Sequence, residues 1–168
     1  GFHFGALYLE AHKLISVSQL GDLDYKNLNA AFQETINATA FSGVANTSNV
    51  TDMSKMFYYA VSLTSLDLSS FDTSSVTDMS HMFAISNSIT SLDLSSFDTS
   101  SVENMTSMFR TATSLISLNL TGWNLENNPS STDIFDQVTA TIYCNDNDNT
   151  PDGSGITSTG EIFGETCN

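Results

Sequence analysis

From Leu63 onward the apolar positions of the chain recur in a fixed frame. Leu66, Leu92 and Leu118 are equivalent, as are Leu68, Leu94 and Leu120, and then Phe71, Phe97 and Trp123, in a repeat of about 26 residues. Val50, Val76 and Val102 fall in the same frame, followed by Met53, Met79 and Met105 and by the pairs Met56-Phe57, Met82-Phe83 and Met108-Phe109. Fainter copies flank these. Ile15, Val17, Leu20, Tyr25, Leu28 and Ala31-Phe32 keep the same offsets, and Ile134-Phe135 continues them downstream. Ile142 and Cys144 read as a last strand arriving early. A degenerate strand is expected around Ala38 to Val44. The pattern gives about five stacked units, with eroded ends acting as caps.

Each unit has two halves of different period. Leu66-Asp67-Leu68 and its equivalents alternate apolar and polar residues, as a half-buried strand does. Val76, Met79, Met82 and Phe83 lie on one face of a helix. Ser75 with Asp78, and Asn49 with Asp52, resemble capping boxes at its start; Ser101 with Asn104 keeps the geometry without the charge. One unit alone cannot bury both faces, whereas stacked units can. The expected fold is a right-handed α/β solenoid of the leucine-rich-repeat kind, with parallel strands on the concave side and short helices on the convex side. Residues 1–14 are expected to form an N-terminal cap or junction, 15–144 the solenoid and 145–168 a closing cap.

The unit "SLDLSSFDTSSVTDMSHMF" resembles the repeat of the BspA-like leucine-rich-repeat surface proteins of bacteria, which also occurs in mycoplasma lipoproteins. The resemblance is strong over Val50 to Trp123 and extends weakly to Ile15–Phe32 and Ile134–Cys144. The ending, with "IYC", a Gly-rich polar stretch, "EIFG" and a final Cys, looks like that family's closing cap. The resemblance implies an adhesion or recognition module exposed at a cell surface. It brings no catalytic motif.

Charge narrows the partners. Nineteen acidic residues against four basic ones give a net charge of -15, which repels phosphate backbones and anionic headgroups alike. Neither nucleic acid nor membrane insertion is expected, and no stretch is long and apolar enough to span a bilayer. The only cysteines, Cys144 and Cys167, sit together near the end, which reads as a disulfide in an oxidising compartment. Closing that loop would stabilise the chain by roughly 3 kcal/mol.

Candidate chemistry lies at the outward strand positions. Ser65, Asp67 and Ser69 should stack on Ser91, Asp93 and Ser95, then on Ser117, Asn119 and Thr121. At the ~4.8 Å spacing of paired strands, Asp67 and Asp93 would repel by roughly 1 kcal/mol in water. A cation or a partner's Lys or Arg would relieve that strain. The result is either an acidic binding face for protein or glycan, or a solvated ladder of short side chains. In "NDNDNTPDGSG", Asp146, Asp148 and Asp152 could serve a calcium loop, but Thr150 and Ile156 stand where such a loop needs Gly and Glu. An ordinary turn is the stronger reading, and no metal or cofactor is expected. His3, His12 and His81 belong to different parts of the frame, and no triad, zinc or phosphate-loop spacing appears, so an enzyme is not expected. The six methionines keep core spacing. Asn37, Asn46, Asn49, Asn104 and Asn119 head glycosylation sequons that the composition alone explains.

The expected function is cell-surface adhesion or recognition of a protein or glycan, with the chain as the tip of a longer bacterial surface protein or fibre. Oligomerisation through the N-terminal flank is a further expectation. The alternative is a structural spacer with no ligand of its own.

Overall fold

The computed structural model describes residues 26–42 and 46–144, with the short strands at 16–17, 161–162 and 165–166. Strands β1 (Ser16–Val17), β2 (Ala40–Ser42) and β3 (Ser65–Asp67) form one parallel sheet. A second parallel sheet holds β4 (Ser91–Asp93), β5 (Ser117–Asn119) and β6 (Thr141–Tyr143). β7 (Glu161–Ile162) and β8 (Glu165–Thr166) pair antiparallel. The register follows the sequence repeat: Leu66 lies beside Phe41, Leu92 beside Leu118, and Leu118 beside Ile142. The degenerate strand expected around Ala38 to Val44 is β2.

The segments expected to be helical are not helices, and no helix occurs among the described residues. Each is a run of tight turns hydrogen-bonded sideways to the next unit. Met79, His81, Phe83 and Ile85 donate their backbone N–H groups to the carbonyls of Asn104, Thr106, Met108 and Arg110. Between them, Met82 N–H returns to Met79 O and Ala84 N–H to His81 O, three residues back. An α-helix would send these bonds four residues back and keep every φ negative. Here φ is 58° at His81 and 61° at Ile85, and the same left-handed positions recur at Lys55, Tyr59, Ser107 and Thr111. Alternate N–H groups point sideways because each left-handed residue reverses the local curl. Asp78 does not close the capping box expected with Ser75; it accepts the backbone N–H of Ser80 at 2.8 Å. A row of parallel bridges runs through this half from Asn27 to Asp52, Asp78, Asn104 and Ser130.

The core lies between the strand half and the turn half of each unit. Phe32, Phe57, Phe83, Phe109 and Phe135 form one column, with neighbouring centroids 5.6–5.7 Å apart and ring planes within 15°. Phe71, Phe97 and Trp123 are buried in the same core, and the indole N–H of Trp123 donates to Leu94 O at 3.0 Å. All six methionines are fully buried, in agreement with the packing expected for them. Buried Thr47, Thr73 and Thr99 tie unit to unit by donating their hydroxyls to the carbonyls of Asp72, Asp98 and Asn124.

The strand ladder has one seam: β3 and β4 are neighbours, but no strand pairing joins them. The outward residue is Asp67 on one side and Asp93 on the other. At the paired junctions Asp67 meets Ser42, and Asp93 meets Asn119, whose amide donates to the carboxylate at 3.0 Å. Asp52 and Asp78 are also adjacent, yet each takes an amide from its far neighbour, Asn27 or Asn104. Four backbone bonds from Met53, Lys55, Phe57 and Tyr59 reinforce that pairing. Like charges placed opposite one another in a sheet destabilise it. Asp67→Asn should therefore stabilise the chain by about 0.2–1 kcal/mol, read as a higher denaturation midpoint. An unchanged or lower midpoint would show that charge does not cause the seam.

Candidate functional site

The Asp-x-Ser tripeptides of the repeat fold locally into turns in which the carboxylate accepts the backbone N–H and hydroxyl of the Ser two residues on. Asp67 Oδ1 takes both groups of Ser69, at 3.1 and 2.7 Å. Asp93 Oδ1 takes both groups of Ser95, at 3.0 and 2.7 Å. In the third unit Asn119 Oδ1 plays this part for Thr121, at 3.1 and 2.8 Å. These turns fix the outward side chains and leave Asp93 Oδ2 without a partner among the described residues.

The nine outward residues expected to form one face are divided by the seam. Ser65, Asp67 and Ser69 border the first sheet, so the close Asp67–Asp93 stacking expected from strand spacing is not made through sheet pairing. On the second sheet Ser91 pairs in register with Ser117 and Asp93 with Asn119. These four residues line an open depression of about 450 Å³ with Thr121 and Tyr143. Sequence reasoning missed Tyr143. It lies beside Asn119 in register, on β6, and remains 42 % exposed. The signal was present: Ile142 and Cys144 alternate with Thr141 and Tyr143, which must then face outward.

Hydrogen bonding sets the charge of this face. The Ser69 hydroxyl and N–H hold Asp67 below its usual carboxylate value, Ser74 does the same for Asp72, and the Ser95 N–H and hydroxyl do so for Asp93, helped by Asn119. His81, a residue expected at the surface, is half-buried, with its Nδ1 buried and unpartnered among the described residues. Burial pushes its pKa down, and Lys55 and Arg110 push it further. All four folded-state values are depressed, so each group binds fewer protons folded than unfolded, and its contribution to stability is lost as pH falls. Thermal melting should weaken in two stages, below the ordinary histidine value of 6.5 and again below 3.8. His81→Gln should shrink the first stage and Asp72→Asn the second; an unchanged profile in both variants would refute the assignment.

Among the described residues no group of three or more His, Cys, Asp or Glu could hold a metal, and no helix is long and apolar enough to cross a membrane. The proposed calcium residues Asp146, Asp148 and Asp152 lie outside the described residues, as do His3, His12, the N-terminal flank and Cys167. Cys144 follows β6 and packs, partly buried, against the core.

The clear repeats and the depression lie within the span matched by one family model, that of a Mycoplasma protein of unknown function, DUF285, over residues 26–147. The chain belongs to this family. No curated protein and no solved structure matches it. The DUF285 span takes in β2 to β6 and every residue named above as lining the depression.

Proposed function

We propose that this DUF285 chain is a recognition module at the bacterial cell surface, part of a longer adhesive protein or fibre, and not an enzyme. In this reading its repeats wind as a right-handed leucine-rich-repeat-like solenoid of the BspA-like kind, and the strand face of the second sheet meets the ligand. The observation that carries the reading is the in-register row Asp93, Asn119 and Tyr143, which lines an open depression of mixed polar and apolar surface. A rigid ladder holds these side chains in place, so little ordering entropy is lost on binding. The carboxylates argue against acid catalysis. Asp67 and Asp93 are held below the usual range, whereas a general acid must be raised toward the working pH.

The competing reading is a spacer without a ligand. The phenylalanine column and the Thr47, Thr73 and Thr99 row support it, since both repeat from unit to unit and serve only to hold units together.

The test is binding of the purified chain to intact cells and to immobilised surface proteins and glycans, with Asp93→Ala/Asn119→Ala as the comparison. Saturable binding that falls at least tenfold in the double variant is the expected result. Absence of saturable binding by the parent chain, or full retention by the variant, would overturn the reading. The secreted setting includes a Cys144–Cys167 disulfide; intact mass and thiol labelling before and after reduction test it, and two free thiols would refute it.

A further inference from the structure

We infer that the depression on β4, β5 and β6 is a subsite for a neutral glycan, seated on the Tyr143 ring and held by Asp93 and Asn119; this rests on the strand-face recognition proposed above. A neutral sugar needs three things from a protein: a carboxylate or carbonyl to accept from its hydroxyls, an amide to donate to them, and an aromatic face for its C–H surface. The depression supplies each. Asp93 Oδ2 is a free acceptor among the described residues, while Asn119 spends one amide hydrogen on Asp93 and keeps the other. The hydroxyls of Ser91 and Ser117 line the same depression and can both donate and accept. Tyr143 brings an exposed ring, whose electron-rich face attracts the weakly positive C–H groups of a pyranose. Paired strands lie about 4.8 Å apart, so these groups are spaced for neighbouring hydroxyls and ring carbons of one or two sugar units.

The same residues disfavour other ligands. The backbones of β4, β5 and β6 are paired to one another, so a peptide has no ladder to join between these strands. Leu92 beneath it is 3 % exposed, which leaves no apolar slot for an anchoring side chain. A net charge of -15 and an ionised Asp93 repel carboxylated or sulfated glycans.

The experiment is an array of neutral, carboxylated and sulfated glycans probed with the full chain, followed by titration of neutral hits by saturation-transfer NMR. Variants would be Tyr143→Ala, Tyr143→Phe and Asn119→Ala, with Tyr59→Ala, an equally exposed tyrosine in the turn half, as control and circular dichroism to confirm folding. Expected are neutral hits, lost at least tenfold in Tyr143→Ala and Asn119→Ala but kept in Tyr143→Phe and Tyr59→Ala. A preference for acidic glycans, or neutral binding that survives Tyr143→Ala, would overturn the inference. Binding to surface proteins that persists after enzymatic deglycosylation, yet is lost in Asp93→Ala/Asn119→Ala, would overturn the glycan inference while leaving strand-face recognition standing. No face-dependent binding to any ligand would sink both.

Discussion

Replacing Phe83 by alanine is expected to lower the unfolding free energy by about 3–5 kcal/mol. Phe83 is the middle ring of its column, 5.7 Å from both Phe57 and Phe109, with planes tilted by only 6° and 5°. It is 1 % exposed, and its backbone N–H is committed to Met108. The units are held on both sides by interstrand or inter-turn bonds, so they cannot close on the space the ring leaves. That rigidity places the loss toward the upper part of the range, because the cost of a cavity grows with what fails to collapse. A domain stability of about 5–15 kcal/mol makes this a large fraction of the whole. Urea denaturation followed by tyrosine and tryptophan fluorescence would measure it. A loss below about 1 kcal/mol would mean that the column packs loosely or that the units slide together. Phe83→Leu, which keeps most of the volume, should lose less.

Thr99→Val should cost about 1–3 kcal/mol although it preserves shape almost perfectly. The Thr99 hydroxyl both donates to Asn124 O and accepts Asn124 N–H, each at 2.7 Å, and the residue is 1 % exposed. Valine would leave both backbone groups of Asn124 without their partner, and an unsatisfied buried group loses its full desolvation energy. Thr99→Ser, which keeps the hydroxyl, should recover part of the loss. If valine and serine behave alike, packing and not hydrogen bonding governs the position. Equivalent Thr73 donates in the same way to Asp98, so Thr73→Val should follow.

Much of this framework is legible in the chain because stacking leaves a direct mark on sequence. A side chain that touches its own equivalent above and below must be tolerated in every unit, and Leu66, Leu92 and Leu118 show it. Even the eroded strand at Ala40–Ser42 falls within the stretch, Ala38 to Val44, where the frame expects one. The helix expectation failed for a physical reason. Apolar residues at Met79, Met82 and Phe83 suit one face of a helix, but successive tight turns present the same set inward. What separates the two is the left-handed backbone at His81 and Ile85, which carries no glycine to announce it. The site was legible in part. Asp93, Asn119 and their hydroxyl neighbours follow from the outward strand positions. Tyr143 escaped because the last strand arrives early, so that its outward slot falls out of phase with Asn119, its partner in register. The seam was hidden for the opposite reason. Asp67 and Asp93 stand in identical tripeptides, so nothing in the repeat frame marks the junction between them.

The seam also bears on how the chain comes apart. Across β3 and β4 the units are joined by the turn-side bridge row and by the core, without the strand bonds present at the other junctions. Amide hydrogens of β2 and β3 should therefore exchange as one cooperative block and those of β4 to β6 as another. The proposed recognition face would then lie within a single block, able to stay intact while the units before the seam open.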